Sequence, residues 1–283
     1  MNKLRPLLFA AVLFSFISCE KEYSLENGNI ADDLIIGPDC RISKIVYTDT
    51  AAKIGLGSIA ADINSLDIVT RITRFDSVSN TIEFIAAPVY SNDSVYINAD
   101  EYFVVDINKR ISKLHALLDP TDPFSLQYEV FYSYNPAGYL VTKTYVLSIT
   151  PTVPFYEVTY TYTAGNLTHM TGIDKSNDEL VTDADIDYYG NINPRRYIYI
   201  FPDEEGYADF NQFFNFGLKN NNAIRKLKIR NYDPGNVLRD SSVSTFTNYI
   251  ISKDNYVLSV QMDTVQHSIP ALAGKLSFSY KCK

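Results

Sequence analysis

The residues best placed to bind a metal ion are three aspartates that alternate along one segment. Asp183, Asp185 and Asp187 are separated by single residues, so a β-strand would project all three carboxylates from one face. Carboxylate oxygens are preferred ligands of Ca²⁺, but an EF-hand loop starting at Asp183 would need glycine at position 188 and glutamate at position 194. The chain has Tyr188 and Pro194 there. We therefore interpret the three aspartates as a solvated acidic strand face, with a weak metal site left open.

Other catalytic constellations are not recognisable in the sequence. His115, His169 and His267 lie far apart, without the spacing of zinc ligands. The G-x-S-x-G elbow of common serine hydrolases does not occur. A glycosidase acid pair cannot be chosen among 33 acidic residues, and the lack of Trp argues mildly against a carbohydrate enzyme. We expect no cofactor, no metal site and no enzymatic activity, with an enzyme of unknown reaction as one alternative.

Two cysteines lie at the two ends of the expected domain. Cys40 stands at its start and Cys282 one residue before the end of the chain. In an oxidising compartment such a pair favours a disulfide, which would join the first strand to the last. The alternative is two buried thiols. A disulfide here would imply that the terminal strands are neighbours or that the structure is closed.

The N-terminus has the composition of an export signal. The apolar run 7–17 follows Lys3 and Arg5, is too short to cross a bilayer as a helix, and ends at Ser18 and Cys19. This arrangement resembles a bacterial lipobox, which implies cleavage before Cys19 and acylation of that cysteine. The alternative is an ordinary secretory signal with an incidental cysteine. Multiple acyl chains anchor a protein far more firmly than one chain does.

The residues after Cys19 predict a flexible tether. Residues 20–38 contain acidic residues, Asn and Gly with little periodicity. The charged residues 20–22 resemble the signal that sends Bacteroidota lipoproteins to the outer face of the outer membrane. We therefore expect a lipid-anchored outer-membrane protein at the cell surface, with the periplasmic face as the alternative. The predicted segments are a signal peptide 1–18, a tether 19–38 and a single β-sheet domain 39–283.

The mature chain is strongly acidic. Removal of residues 1–18 removes two of the 25 basic residues and none of the 33 acidic ones, which changes the net charge from −8 to −10. Such a surface repels nucleic acid and anionic lipid headgroups. We therefore expect no nucleic acid partner.

Alternation of aromatic and polar residues dominates the chain from Cys40 onward. The stretches LQYEVFYSY and FYEVTYTY each place tyrosines on one face and polar residues on the other, as half-buried strands do. Turns with glycine at positions 138, 165 and 190 follow such strands and predict one hairpin per repeat. The pattern predicts an all-β fold, a large twisted antiparallel meander of sequential hairpins whose sheet is open or partly closed. The tyrosines of these two faces are Tyr128, Tyr132, Tyr134, Tyr156, Tyr160 and Tyr162.

One segment departs from this alternation. Tyr207, Phe210, Phe213 and Phe214 fall at helical spacing, and Asp203 can cap the N-terminus of a helix. The spacing predicts one short amphipathic helix near 204–217 that covers part of one sheet face.

The hairpins carry a family resemblance. YSYNPAGYLVTK and YTYTAGNLTHM resemble the YD-repeat pattern, with Asn135 and Thr163 in place of its usual aspartate. The lipobox, the acidic tether, the early cysteine, the Phe-rich segment with its Asn-rich turn and the closing SYKCK are together similar to a group of uncharacterised Bacteroidota lipoproteins. The resemblance spans nearly the whole mature chain. It implies an all-β fold and no assigned activity.

The six tyrosines are the candidate binding residues. A face built from tyrosine suits a partly wet surface, because each hydroxyl needs a hydrogen-bond partner, whereas plain core is the competing interpretation. On the binding interpretation Tyr132 and Tyr160 stay accessible. We expect a surface-anchored lipoprotein that acts as a non-catalytic binding or structural module, with a glycan or a protein as ligand. The alternative is a periplasmic carrier of lipids or lipoproteins with a half-barrel cavity.

Overall fold

The computed structural model describes residues 40–49, 55–76, 80–119, 122, 124–195, 197–203, 210–266 and 269–282. The chain divides into two compact units, and all the described residues belong to the second unit, Ala31–Lys283. The signal peptide, the tether and Cys19 lie outside the described residues and stay predictions. Within the described ranges, the chain forms no helix with the length and apolar composition needed to traverse a bilayer.

The described residues form one sheet of 17 strands, which confirms the predicted all-β fold. The strands are β1 (Cys40–Asp49), β2 (Gly55–Ile63), β3 (Val69–Asp76), β4 (Thr81–Ala86), β5 (Val89–Ser91), β6 (Ser94–Tyr96), β7 (Tyr102–Val105), β8 (Ile111–Leu117), β9 (Gln127–Tyr134), β10 (Leu140–Leu147), β11 (Pro154–Thr163), β12 (Asn166–Asp174), β13 (Glu179–Tyr188), β14 (Ile224–Asp233), β15 (Val237–Ile251), β16 (Val257–Gln266) and β17 (Ile269–Cys282).

The strands follow one another as antiparallel neighbours, which confirms the meander. Ladders join β5 to β6 and each following strand to the next as far as β17. The strand β17 then pairs with β1, and β1 leads through β2 and β3 to β4. The sheet is not closed. Sequential hairpins need only short turns, which is why alternation in the sequence predicted this order well.

The two ends of the chain meet in this sheet. Cys40 lies directly opposite Cys282 in the ladder of β1 with β17, and the two form a disulfide with their Cα atoms 4.0 Å apart. The predicted disulfide is therefore confirmed. It closes a loop with a sequence separation of 242. By the loop-closure entropy argument, such a crosslink stabilises the folded chain by about 5 kcal/mol.

Antiparallel alternation gives the sheet two distinct ends. The end that carries the disulfide also carries the turns between β7 and β8, β9 and β10, β11 and β12, and β15 and β16, and we call it the cysteine end. The opposite end carries the turns between β8 and β9, β10 and β11, β12 and β13, and β14 and β15, and we call it the distal end. Because β13 runs toward the cysteine end, the long connection from β13 to β14, residues 189–223, begins and ends there.

The core lies between the inner face of the sheet and this connection. One hydrophobic cluster contains buried residues of strands from β1 to β17 together with residues of the connection. Aromatic rings of the connection contact strands that are far apart in the sheet. The ring of Tyr197 lies 5.9 Å from Phe278 of β17, and the ring of Phe214 lies 5.2 Å from Phe103 of β7. The sheet therefore curls around the connection.

The predicted helix near 204–217 is wrong where the structure describes it. Residues 204–209 lie outside the described residues, and the rest contains only the short 3-10 helix Phe210–Phe213. Phe213, Phe214 and Phe216 are all buried in the core. The backbone beyond them bonds to neighbouring turns instead of to itself, for example from Leu218 N to Gly138 O at 2.9 Å. The phenylalanines have helical spacing in the sequence, but the segment is buried on several sides and does not form the predicted helix.

The expected return strand after Gly190 is also wrong. The residues YIYIF run from Tyr197 to Phe201 without strand structure, and β13 pairs instead with β14. Tyr197, Ile198, Tyr199 and Ile200 are all buried, so successive side chains do not alternate between core and solvent. A segment that crosses the interior of a curled sheet is surrounded by apolar groups, and this explains the continuous apolar run.

Candidate functional site

The six predicted tyrosines all lie on the inner, core-facing side of β9 and β11. Tyr132 is 8% exposed and Tyr160 is 3% exposed, while the other four are partly buried against the same cluster. Rings of the connection cover the first two: Phe216 lies 5.3 Å from Tyr132, and Phe201 lies 6.3 Å from Tyr160. The expectation that Tyr132 and Tyr160 stay accessible is therefore wrong. The binding role of the six residues stays a prediction, and their burial favours the core interpretation.

The hydroxyl groups of these tyrosines find partners inside the fold. Tyr134 Oη donates to the carbonyl of Ile111 at 2.5 Å, and Tyr160 Oη donates to Asp203 Oδ1 at 2.6 Å. Burial raises the pKa of Tyr134, Tyr156 and Tyr162 above the ordinary value for a phenol. The hydroxyls of Tyr134 and Tyr160 serve as internal donors.

A buried ion pair accompanies Tyr160. Lys143 of β10 is 0% exposed, and its Nζ lies 3.0 Å from Oδ2 of Asp203, whose side chain is 1% exposed. The ammonium also lies 4.3 Å from the centre of the Phe201 ring. Local sequence patterns do not reveal this cluster, although Lys143 stands at an inward position of its strand, opposite the buried Tyr132. The pair fastens the connection to β10.

An asparagine cluster joins the end of the connection to a hairpin turn. Asn220 Oδ1 accepts a bond from Leu167 N at 2.7 Å, and the side chain of Asn166 donates to Asn222 Oδ1 at 2.9 Å. Gly165 has a φ of +78°, and a Cβ there would lie 2.0 Å from Asn221 Nδ2, so no other residue fits this turn. The Asn-rich segment therefore ties the connection to the turn between β11 and β12 at the cysteine end.

The three aspartates form ion pairs instead of a metal site. Arg230 of the neighbouring β14 lies 2.6 Å from Asp183 and 2.7 Å from Asp185, and Arg225 lies 3.4 Å from Asp187. Among the residues that the structure describes, no group of three or more His, Cys, Asp or Glu side chains is arranged to hold a metal ion. The basic partners lie on the adjacent strand, which a reading of one strand alone does not reveal.

The electrostatics of this face agree with ion pairing. Burial acts to raise the pKa of Asp185, but hydrogen bonds from Arg230 and His169 outweigh it and hold that pKa below its ordinary value. The hydrogen bonds that Arg230 donates to Asp183 raise the pKa of Arg230. Asp185 and Arg230 are thus charged at neutral pH, and the ion pairs on this face join acidic and basic side chains.

Exposed apolar side chains gather on two neighbouring turns of the distal end. The residues are Leu118 (59% exposed), Phe124 (91%), Leu126 (45%), Ile149 (71%) and Val153 (60%), and we call them the apolar rim. The two turns are joined by a bond from Ser148 N to Gln127 O at 2.9 Å. Neighbouring strands lie about 4.8 Å apart, so consecutive turns at one end are about 10 Å apart. The rim is therefore one continuous surface.

The sequence of the two turns carries a local signal for the apolar rim. LLDPTDPFSL and LSITPTVPF contain large apolar residues beside the Pro, Asp and Ser that are ordinary in turns. Several apolar residues exposed on adjacent turns differ from the single exposed apolar residues found on most protein surfaces.

Solved structures with a similar fold come from Bacteroides. The chain is similar to a porin-like protein from Bacteroides uniformis ATCC 8492, with 12% identity, 86% of this chain and 99% of that chain covered, and a TM-score of 0.61. It is also similar to a porin-like protein from Bacteroides vulgatus ATCC 8482, with 11% identity, the same coverages and a TM-score of 0.52. At these identities the likeness shows a common fold alone.

The sequence comparisons add no family. No protein-family model matches this chain, and no curated protein matches its sequence. The Bacteroides source of the similar structures fits the expected bacterial group loosely. The YD-repeat and lipoprotein-family resemblances are not confirmed by these findings.

Proposed function

We propose that this protein is a lipid-anchored, non-enzymatic binding module that engages a partner protein through the apolar rim. The observation that carries the proposal is the gathering of five exposed apolar side chains on two adjacent turns of the distal end. The protein is anchored through the predicted acylated Cys19. It is located at the outer membrane, on the face that is exposed at the cell surface.

The polarity of the sheet supports a domain that stands in water. The outward positions of β11 include Glu157, Thr159 and Thr161, and those of β13 include three aspartates, whereas most inward positions of the two strands are aromatic or aliphatic. A strand that faces lipid needs apolar residues on its outer side. The strands β11 and β13 show the reverse arrangement. Attachment through a lipid therefore suits this sheet better than insertion into the bilayer.

The position of the chain entry supports a role for the distal end. The domain begins with Cys40 at the cysteine end, so a tether from Cys19 joins the domain at that end. The distal end lies one strand length away, and a ten-residue strand measures about 33 Å. The apolar rim is thus on the side of the domain opposite to its attachment.

The chemistry of the apolar rim favours a protein as ligand. Leucine, isoleucine, valine and phenylalanine side chains carry no hydrogen-bonding groups with which to recognise sugar hydroxyls. Exposed apolar patches on otherwise polar proteins mark interaction surfaces, and buried apolar anchors dominate binding energies. A glycan ligand would instead require aromatic platforms with polar neighbours, and the tyrosines that suit this role are turned inward.

The comparison structures support the proposed location. Both are described as porin-like, a term that refers to outer-membrane proteins. The packing of the connection against Tyr132 and Tyr160 argues against the alternative of a lipid carrier, because these rings fill the space that a cargo would occupy.

Site-specific photocrosslinking in intact cells tests the proposal. A photoreactive residue at position 124 or 149 is expected to yield a discrete crosslinked species, and a Val153→Asp change in the same chain is expected to abolish it. Two positions outside the rim serve as controls for the photoreactive residue. They are Ile107, which is 95% exposed at the cysteine end, and Ile82, which is 74% exposed on β4. Crosslinking of equal yield at all four positions, or none at positions 124 and 149, contradicts the proposal.

A further inference from the structure

A lysine and an aspartate meet in the core where the connection crosses β10. Lys143 Nζ lies 3.0 Å from Asp203 Oδ2, and the side chains of both are essentially inaccessible to solvent. A carboxylate carbon lies about 1.2 Å from its oxygen, so the reactive carbon of Asp203 is within about 4.2 Å of the lysine nitrogen. This places a nucleophile and an electrophile side by side in the same chain.

The surroundings of the pair exclude water. The lysine nitrogen lies 4.3 Å from the centre of the Phe201 ring and 5.7 Å from the centre of the Tyr160 ring. Removal of two charges from water costs several kcal/mol for each ion, and buried groups tend to become neutral instead. Transfer of one proton from Nζ to Oδ2, along the bond that already joins them, yields a neutral amine and a neutral carboxylic acid.

We propose that Lys143 and Asp203 form an intramolecular isopeptide bond. The lone pair of the neutral amine attacks Cγ of Asp203, and a nitrogen–carbon bond forms. The bond from Cγ to Oδ2 then breaks, and Oδ2 leaves as water with the proton it received and one more from the nitrogen. The reaction is a condensation without change of oxidation state, so it needs no oxidant, reductant or other co-reactant.

Tyr160 is placed to assist this reaction. Its hydroxyl donates to Oδ1 of Asp203 at 2.6 Å, and Oδ1 is the oxygen on which negative charge develops during attack at Cγ. A hydrogen-bond donor fixed at such an oxygen stabilises the transition state most where water is excluded. Tyr160 is therefore a catalytic residue of the proposed condensation, which explains why a tyrosine and not a phenylalanine occupies this core position.

The bond would complement the disulfide. The disulfide joins the two terminal strands, whereas the isopeptide would join β10 to the connection across a sequence separation of 60. The two crosslinks together would hold the sheet at its first and last strands and at its interior.

Peptide mapping of the full mature chain tests the proposal. Trypsin does not cleave after a lysine whose amine is part of an amide, so reduced and digested wild-type protein should contain one branched product of residues 114–175 and 197–219. Its mass should be lower than the sum of its two parts by one water molecule. In the Lys143→Arg variant the branched product should be absent. Recovery of residues 114–143 and 197–219 from the wild type as separate peptides of unmodified mass overturns the proposal.

A pair of Tyr→Phe variants tests the role of Tyr160. Loss of one oxyanion donor slows reactions of this kind by about 100-fold or more, so Tyr160→Phe should retard the appearance of the branched product after synthesis by that factor. Tyr188→Phe removes a comparable internal hydroxyl, which donates to the Leu167 carbonyl at 2.8 Å, and should leave the rate unchanged. Equal rates in the two variants overturn the assignment of Tyr160.

Discussion

At the residue scale, the tyrosines of β9 and β11 contribute mainly to the core. Their rings pack against Phe201 and Phe216 of the connection, and the hydroxyl of Tyr160 bonds to Asp203. Tyrosine is suited to this interior because Ile111 of β8 supplies a carbonyl acceptor and Asp203 of the connection supplies a carboxylate acceptor. A row of tyrosines along a strand is thus compatible with a core whose acceptors come from elsewhere in the chain.

Truncation of the buried tyrosines is expected to destabilise the fold. Tyr132→Ala and Tyr160→Ala should each lower the free energy of unfolding by about 3–5 kcal/mol, because each leaves a cavity among packed rings. Phe131→Ala is the matched control, since Phe131 lies beside Tyr132 on the outward side and is 39% exposed. Urea denaturation followed by circular dichroism measures the three values. Losses under 1 kcal/mol for both tyrosine variants would support accessible binding residues instead.

The buried tyrosine hydroxyls lead us to expect that the protein unfolds in alkali. Desolvation is the largest cause that raises the pKa of Tyr199, from 10.0 to about 12. Because the neutral form is favoured in the fold, this contribution to stability is fully present below pH 10 and is lost as the pH rises to about 12. Tyrosinate absorbance and far-ultraviolet circular dichroism should therefore change together within this window. Complete tyrosine titration near pH 10 with the sheet intact would contradict the prediction.

At the element scale, the hairpins were predictable from the sequence and the connection was not. Alternation and the glycines at 138 and 165 identified the pairs β9–β10 and β11–β12, because both signals are local. The segment YIYIF has the composition of a strand, but it crosses the interior and is buried on all sides. Such burial depends on which distant strands surround it. The burial of Lys143 was not predictable for the same reason, because its partner Asp203 is 60 residues away in the sequence.

The asparagine cluster should stabilise the cysteine end. Asn220→Ala leaves the buried Leu167 amide without its acceptor, which costs about 1–3 kcal/mol of unfolding free energy. Asn177→Ala is the matched control in an exposed turn of the distal end. Hydrogen exchange of the Leu167 amide should accelerate only in the Asn220 variant. Unchanged exchange there would mean that the cluster does not hold the turn.

At the scale of the whole molecule, the sheet has one end tied to the connection and one end with outward apolar side chains. The disulfide and the connection lie at the cysteine end, whereas the apolar rim lies at the distal end. This asymmetry was not predictable from alternation, which describes faces of strands and not the ends of a sheet. The proposed anchor belongs to the same scale, since the chain enters the domain at the cysteine end.

Metabolic labelling tests the proposed anchor. Cells that produce the wild-type chain in the presence of labelled palmitate should incorporate label into it, because Cys19 follows an apolar run and a small residue. The Cys19→Ala variant should incorporate none. Equal incorporation into both chains, or none into either, would contradict lipidation at Cys19.

Photochemical footprinting of the apolar rim in intact cells tests the central claim most directly. Purified protein should label strongly at Phe124 and Ile149, which are 91% and 71% exposed, and also at Ile82, which is 74% exposed. If a partner protein covers the rim, labelling of Phe124 and Ile149 should fall several-fold on cells while labelling of Ile82 stays the same. Equal labelling of all three residues on cells and in the purified protein would contradict the account.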